Sequence, residues 1–154
     1  MGSDSVTADP LSRFEAEHAD ALVALDKLEA AALALERGDP PVAHLSVVRE
    51  VQRILTTEVR EHNDNEERAL FSLLGEDAPT AVFVEEHGTL RQLEHALVRA
   101  ADAPDAARRV PPVARQVVAL LRAHIAREND VLFPMARAVL GPEGLAAVAQ
   151  RLGS

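Results

Sequence analysis

The sequence predicts an all-α fold, an antiparallel up-down-up-down four-helix bundle, on three observations. Of its 154 residues 47% are hydrophobic, mainly Ala, Leu and Val, with no Trp or Tyr. Together with abundant Glu and Arg this is a helix-forming vocabulary. Apolar residues recur at intervals of three and four along four long runs, and no stretch alternates as a strand would. Short breaks rich in Pro, Gly and Asp separate the runs, which makes sequential helices antiparallel neighbours. A chain of this length forms one domain with a single sizeable core. We expect that domain over residues 9–154, after a disordered polar lead-in at residues 1–8.

Asp9-Pro10 starts the first helix, an N-cap residue followed by a proline suited to the first helical position. The inward face then reads Phe14, His18, Ala21, Leu22, Leu25, Leu28, Ala32 and Leu35. Gly38-Asp39-Pro40-Pro41 stops this helix and begins the next, whose face reads Val48, Val51, Leu55, Val59, His62, Glu66, Leu70 and Leu73 up to Gly75. After a turn at Asp77-Ala78-Pro79-Thr80, a third helix runs to about Ala101 with Phe83, His87, Leu90, Leu93 and Leu97 inward. Asp102-Ala103-Pro104 breaks it, and Pro111-Pro112 precedes the fourth helix. That helix carries Val113, Val117, Leu120, Leu121, His124, Glu128, Val131, Leu132 and Met135. Pro134 predicts a kink or an end near Phe133. Gly141-Pro142-Glu143 allows a short fifth helix through Leu152.

Charge and composition narrow the function classes. A formal charge of −9 with no basic block argues against a nucleic-acid partner or an anionic membrane surface. The absence of cysteine excludes disulfides, thiolate metal sites, iron–sulfur clusters and a cysteine nucleophile. No apolar run approaches the ~20 residues needed to span a bilayer. The polar, acidic start MGSDSVTADP is no secretory signal. A soluble cytoplasmic protein is expected.

The chemistry is carried by a repeated pair. His62 and Glu66 lie four residues apart in an apolar run, as do His124 and Glu128, and each pair is followed by Leu-Phe, at Leu70-Phe71 and Leu132-Phe133. Residues at i and i+4 share a helix face, so each pair points at the core, where an unpaired charge is costly. His18 and His87 are lone inward histidines on the other two helices. Counting from the turns at ~1.5 Å per residue brings all six to within about one or two helical turns of a common height.

A single inward histidine is more often a hydrogen-bonded core residue, and a His–Glu pair at this spacing more often a surface contact. Two pairs in matching contexts, with lone histidines at matching heights, favour metal instead. The candidate metal ligands are therefore His18, His62, Glu66, His87, His124 and Glu128. Imidazole and carboxylate suit iron, manganese or zinc, and two carboxylates between four imidazoles can bridge two ions. Phe71, Phe83, Phe133 and Met135 would form an apolar shell restricting water. His44 and His95 fall away from the layer and are expected at the surface. Ferritin-like bundles use Glu-x-x-His pairs, the reverse order at a different spacing, and no HExxH motif is present.

His18 with Leu22, His62-x3-Glu66 with Leu70-Phe71, Glu86-His87 with Leu90, and His124-x3-Glu128 with Leu132-Phe133-Pro134 together resemble the hemerythrin-like, or HHE cation-binding, domain, in its bacterial six-ligand form. The resemblance covers about residues 11–140. It implies a four-helix bundle holding a non-haem di-iron centre bridged by an oxo or hydroxo group and by Glu66 and Glu128, with His18, His62, His87 and His124 as terminal ligands. Zinc or manganese could substitute for iron. Oxygen-carrying members have a second third-helix histidine where this chain has Arg91, and an aspartate where it has Asn129. Fewer imidazoles on one iron imply an open position for O2, NO or peroxide. The implied function is binding of O2 or NO for sensing or storage. A di-iron enzyme acting on peroxide or NO, or an iron-handling or iron-sensing protein, are the alternatives, and the residues leave open whether the protein is an enzyme.

Overall fold

The structure is a computed structural model that describes residues 9–153; the lead-in expected at 1–8 lies outside them. Helix α1 spans Pro10–Glu36, and the Asp9 side chain caps it by accepting from the Leu11 amide at 2.9 Å. Gly38 (φ 85) ends it, and the Asp39 amide folds back onto the Ala34 carbonyl. Helix α2 covers residues 41–74 and contains two π turns, Leu55–Val59 and Glu66–Phe71. Helix α3 is Ala81–Asp102. The next helix runs through Ala106–Arg127, a π turn at Glu128–Leu132, and Phe133–Leu152. Gly141, at φ 63 and ψ −175, breaks this last stretch; we call the part before it α4 and the part after it α5. No strand occurs among the described residues.

Cross-bundle contacts fix the directions. Along α1 the residues Glu36, Glu29 and His18 meet Arg115, Arg122 and Asn129 of α4 in turn, so these helices are antiparallel. Arg49 with Asp102, Arg60 with Glu94 and Glu67 with His87 set α2 against α3 in the same way. Each helix thus packs on its two sequence or end neighbours, the arrangement expected of an up-down-up-down bundle.

The core is two apolar clusters stacked along the bundle. The upper one includes Leu25, Leu28, Val48, Val51, Leu90, Leu97, Val117 and Leu121. The lower one holds Leu11, Phe14, Leu70, Phe71, Phe83, Leu132, Phe133 and Val148, the last from α5. Between them, in sequence on every long helix, fall the histidines and glutamates singled out above.

Several expectations are corrected. The fourth helix begins at Ala106, not after Pro111-Pro112, and both prolines sit inside it. A proline cannot donate to the carbonyl four residues back, here Ala107 or Arg108, but the loss falls near the helix start, where Arg108 is exposed to water. Of the kink or end expected near Phe133, the end does not occur, and the irregularity there is a π turn. The π turn carries the backbone there, with the Phe133 amide donating to the Glu128 carbonyl five residues back, immediately before Pro134 would leave a gap. The wider turn also changes which residues face in. Leu132 and Phe133 are buried, whereas Val131, expected inward, is 52% exposed. On α3, Leu93 is only half-buried, and Glu94 is interior at 3% exposure. Burial raises the Glu94 pKa, although its ion pair with Arg60 opposes that rise.

A segment within Ala106–Leu152 is also long and apolar enough to pass for a membrane span by composition. Gly141 divides it, and Phe133, Ala136 and Val148 fold it onto the lower cluster.

Two glycines give a test of the backbone. Gly75 holds φ 54 and ψ −129, a region that residues with a Cβ adopt at a cost of about 1–3 kcal/mol. Gly88 is helical, and a Cβ there meets nothing within 4 Å. Urea melts should show Gly75→Ala destabilised by that amount and Gly88→Ala stabilised by about 0.5–1 kcal/mol. Equal effects of the two substitutions would contradict the turn geometry.

Candidate metal centre

All six residues selected from the sequence meet in one layer. His18 comes from α1, His62 and Glu66 from α2, His87 from α3, and His124 and Glu128 from α4, each buried and both glutamates fully so. Their potential ligand atoms form two groups, His18, His62, Glu66 and Glu128, and Glu66, His87, His124 and Glu128, with the atoms of each group within 4.8 Å of one another. The two carboxylates belong to both groups. His18 Nε2 lies 2.9 Å from Glu128 Oε1, and His62 Nε2 lies 3.1 Å from Glu66 Oε2. His87 Nε2 lies 3.3 Å from Glu66 Oε1, and His124 Nε2 3.2 Å from Glu128 Oε2. The i, i+4 pairs are therefore real, but each carboxylate also faces an imidazole of another helix.

Every imidazole is oriented from behind. His62 Nδ1 donates to Glu17 at 2.7 Å, His87 Nδ1 to Glu67 at 2.7 Å, and His124 Nδ1 to Glu86 at 2.8 Å. His18 Nδ1 donates to the Asn129 side-chain oxygen at 2.7 Å. Donation through Nδ1 leaves the Nε2 lone pair of a neutral imidazole aimed at the centre, the arrangement typical of metal-bound histidines. Aromatic rings hold the faces. Phe133 stacks on His18 and Phe71 on His87, while Phe14 meets His62 and Phe83 meets His124 edge-on. Met135, expected in this shell, is instead half-buried against the lower cluster.

Sequence reasoning missed the outer acceptors Glu17, Glu67, Glu86 and Asn129. A signal was there. Phe-x-x-Glu-His occurs twice, at Phe14–His18 and Phe83–His87, and each outer acceptor is the sequence neighbour of a layer residue. Arg91 is exposed and takes no part, and His95 is exposed as expected.

The residues fit metal. Glu66 Oε1, His87 Nε2, His124 Nε2 and both Glu128 oxygens are buried without a hydrogen-bond partner among the described residues. Orphaned atoms of this kind are costly unless something else satisfies them. Without a cation, protons take part of that role. Burial alone would lower the His18 pKa, but the nearby carboxylates of Glu128 and Glu66 outweigh it and raise the value to about 10. His62 is likewise disfavoured by burial and raised overall to about 9 by Glu17 and Glu66. Glu66, despite full burial, is held well below its ordinary value by His18, His62 and His87.

A helical bundle with two buried groups of histidine and glutamate, each able to hold a metal ion, defines a cation-binding four-helix protein. The chain belongs to the hemerythrin HHE cation-binding domain family, whose model matches residues 9–136. Comparison with curated proteins and with solved structures gives no match.

The metal-free protein should show an alkaline loss of stability. His18 and His62 bind protons more tightly folded than unfolded, so their contribution is complete below pH 6.5 and is lost as pH rises through about 9 and 10. Glu66 acts in the opposite sense, contributing above pH 4.5 and losing that contribution in acid. Burial disfavours a proton on His124 as well, but Glu128 and Glu86 raise its pKa overall, so it acts in the same sense as His18 and His62, and the chain has no Tyr or Cys. Thermal melts of the chelated protein should give a lower Tm at pH 10 than at pH 7, the decline shrinking in Glu66→Gln. A flat profile over that range would contradict the protonated layer.

Proposed function

We propose that the layer is a di-iron centre that binds a diatomic molecule, O2 or NO, for sensing or storage. His18 and His62 would hold one ion and His87 and His124 the other, with Glu66 and Glu128 shared between them, in a domain spanning residues 9–154. The observation that carries this reading is the set of orphaned atoms at the bundle centre, all belonging to imidazoles and carboxylates of the two ligand groups. Bound iron would supply an electron-rich, redox-active position for a small ligand. The protein residues would do the rest: Nδ1 hydrogen bonds keep the imidazoles aimed, and four phenylalanines limit water around them.

A small ligand has room beside the layer. A cavity of about 250 Å³ reaches His18, His62 and His124 between Ala21, Ile54, Val59, Leu121 and Ile125. One water needs only about 10–15 Å³ of such space, so a molecule of diatomic size fits easily. Glu17, Asp20, Glu58 and Glu61 stand among the lining residues. These carboxylates favour the passage of cations, which supports iron handling as a second reading of the same centre.

Reduced, iron-loaded protein exposed anaerobically to NO, or to air, should develop a ligand-to-metal charge-transfer band. His124→Ala should abolish the band and His95→Ala should retain it. Iron uptake without any adduct would sink the diatomic reading and leave metal handling.

A further inference from the structure

The outer hydrogen bonds close into a ring. Glu17 of α1 accepts from His62 of α2, Glu67 of α2 from His87 of α3, Glu86 of α3 from His124 of α4, and Asn129 of α4 from His18 of α1. The two halves of the chain correspond through this ring. Phe14, Glu17 and His18 match Phe83, Glu86 and His87, while His62, Glu66 and Phe71 match His124, Glu128 and Phe133. The phenylalanine contacts obey the same correspondence, one stacked and one edge-on in each half. Glu67 is matched by Asn129. There the correspondence fails, because a carboxylate faces an amide.

We infer that the two metal positions have unequal affinity, and that Asn129 makes the His18–His62 position the weaker one, filled second and emptied first. This rests on the di-metal reading given above. A carboxylate behind an imidazole raises its strength as a metal donor, and loss of such a partner commonly lowers metal affinity by about 10–100-fold. His87 and His124 both have carboxylate partners. Of His18 and His62, only His62 does.

Glu17 also meets Arg13 through its second oxygen, at 3.3 Å, and Glu86 meets Arg127 through its second oxygen, at 2.5 Å. The closer Arg127 pair draws more on the partner of His124, which acts against the assignment without removing the carboxylate. Glu66 and Glu128 belong to both positions. The neutral amide behind His18 is the difference in kind, an uncharged partner where the other three imidazoles have a carboxylate. It gives the protein one firmly held ion and one exchangeable ion from an otherwise duplicated site.

Anaerobic titration of the metal-free protein with Co2+ tests this, with visible absorption reporting uptake and paramagnetically shifted imidazole N–H signals reporting which histidines are bound. Two steps about 10–100-fold apart are expected, with His87 and His124 shifted in the first. His18→Ala should abolish the second step. Asn129→Asp should strengthen the second step by about tenfold or more, and Glu67→Gln should weaken the first so that the steps converge. Far-ultraviolet circular dichroism verifies that each variant is folded. Binding first at His18 and His62, or a separation unmoved by both Asn129→Asp and Glu67→Gln, would overturn the inference while leaving two-ion binding in place. Failure to take up any Co2+ would overturn the metal reading itself and this inference with it.

Discussion

Two carboxylates with no exposed surface, crowded among four imidazoles, are the constraint on which this molecule depends. An isolated buried carboxylate is among the least tolerable groups in a protein interior. Here two sit in a polar layer between apolar clusters, and something positive must accompany them. Protons on His18 and His62 answer part of that need in the metal-free chain, and divalent cations would answer it more completely. Metal binding must then displace protons, which links occupancy to pH and couples the centre to folding. The outer ring from Glu17 to Asn129 makes this possible. By engaging every Nδ1, it leaves every Nε2 for the centre.

The backbone serves the same end. Two of the three π turns among the described residues begin at Glu66 and at Glu128, and the widened turn lets the carboxylate, the following leucine and the phenylalanine after it all face inward. A regular helix with the same sequence would have turned Phe71 or Phe133 away from the imidazole on which each stacks. Such turns are often found at functional sites, and here their geometric consequence is direct. They place a metal-binding group and its apolar cover on one face of one helix.

Much of this was legible in the sequence because it depends on spacing. His18, His62, Glu66, His87, His124 and Glu128 could be brought to one height by counting from breaks, since helical rise is uniform and the connections are short. The π turns were not legible, because they arise where side chains on several helices compete for the interior. Val131 was assigned inward by a 3.6-residue period that the chain does not follow there. Pro111 and Pro112 were read as a boundary from local preference, yet the packing of Val110 and Ala114 into the upper cluster, with Pro111 buried beside them, holds the helix through them. Glu94 was passed over because a charged residue carries no apolar signal, and its partner Arg60 is distant in sequence. The outer ring was missed for a related reason: each acceptor serves a histidine on a different helix. Only its repeated Phe-x-x-Glu-His was local.

The central claim is that two metal ions occupy this layer through Nε2 of the four histidines, with both carboxylates between them. Anomalous diffraction at the iron edge from crystals of iron-loaded protein tests it most directly. Two peaks are predicted within the layer, one beside His18 and His62 and the other beside His87 and His124, with Glu66 and Glu128 contacting both. Iron outside the layer, or bound through the Nδ1 atoms that face Glu17, Glu67, Glu86 and Asn129, would contradict it.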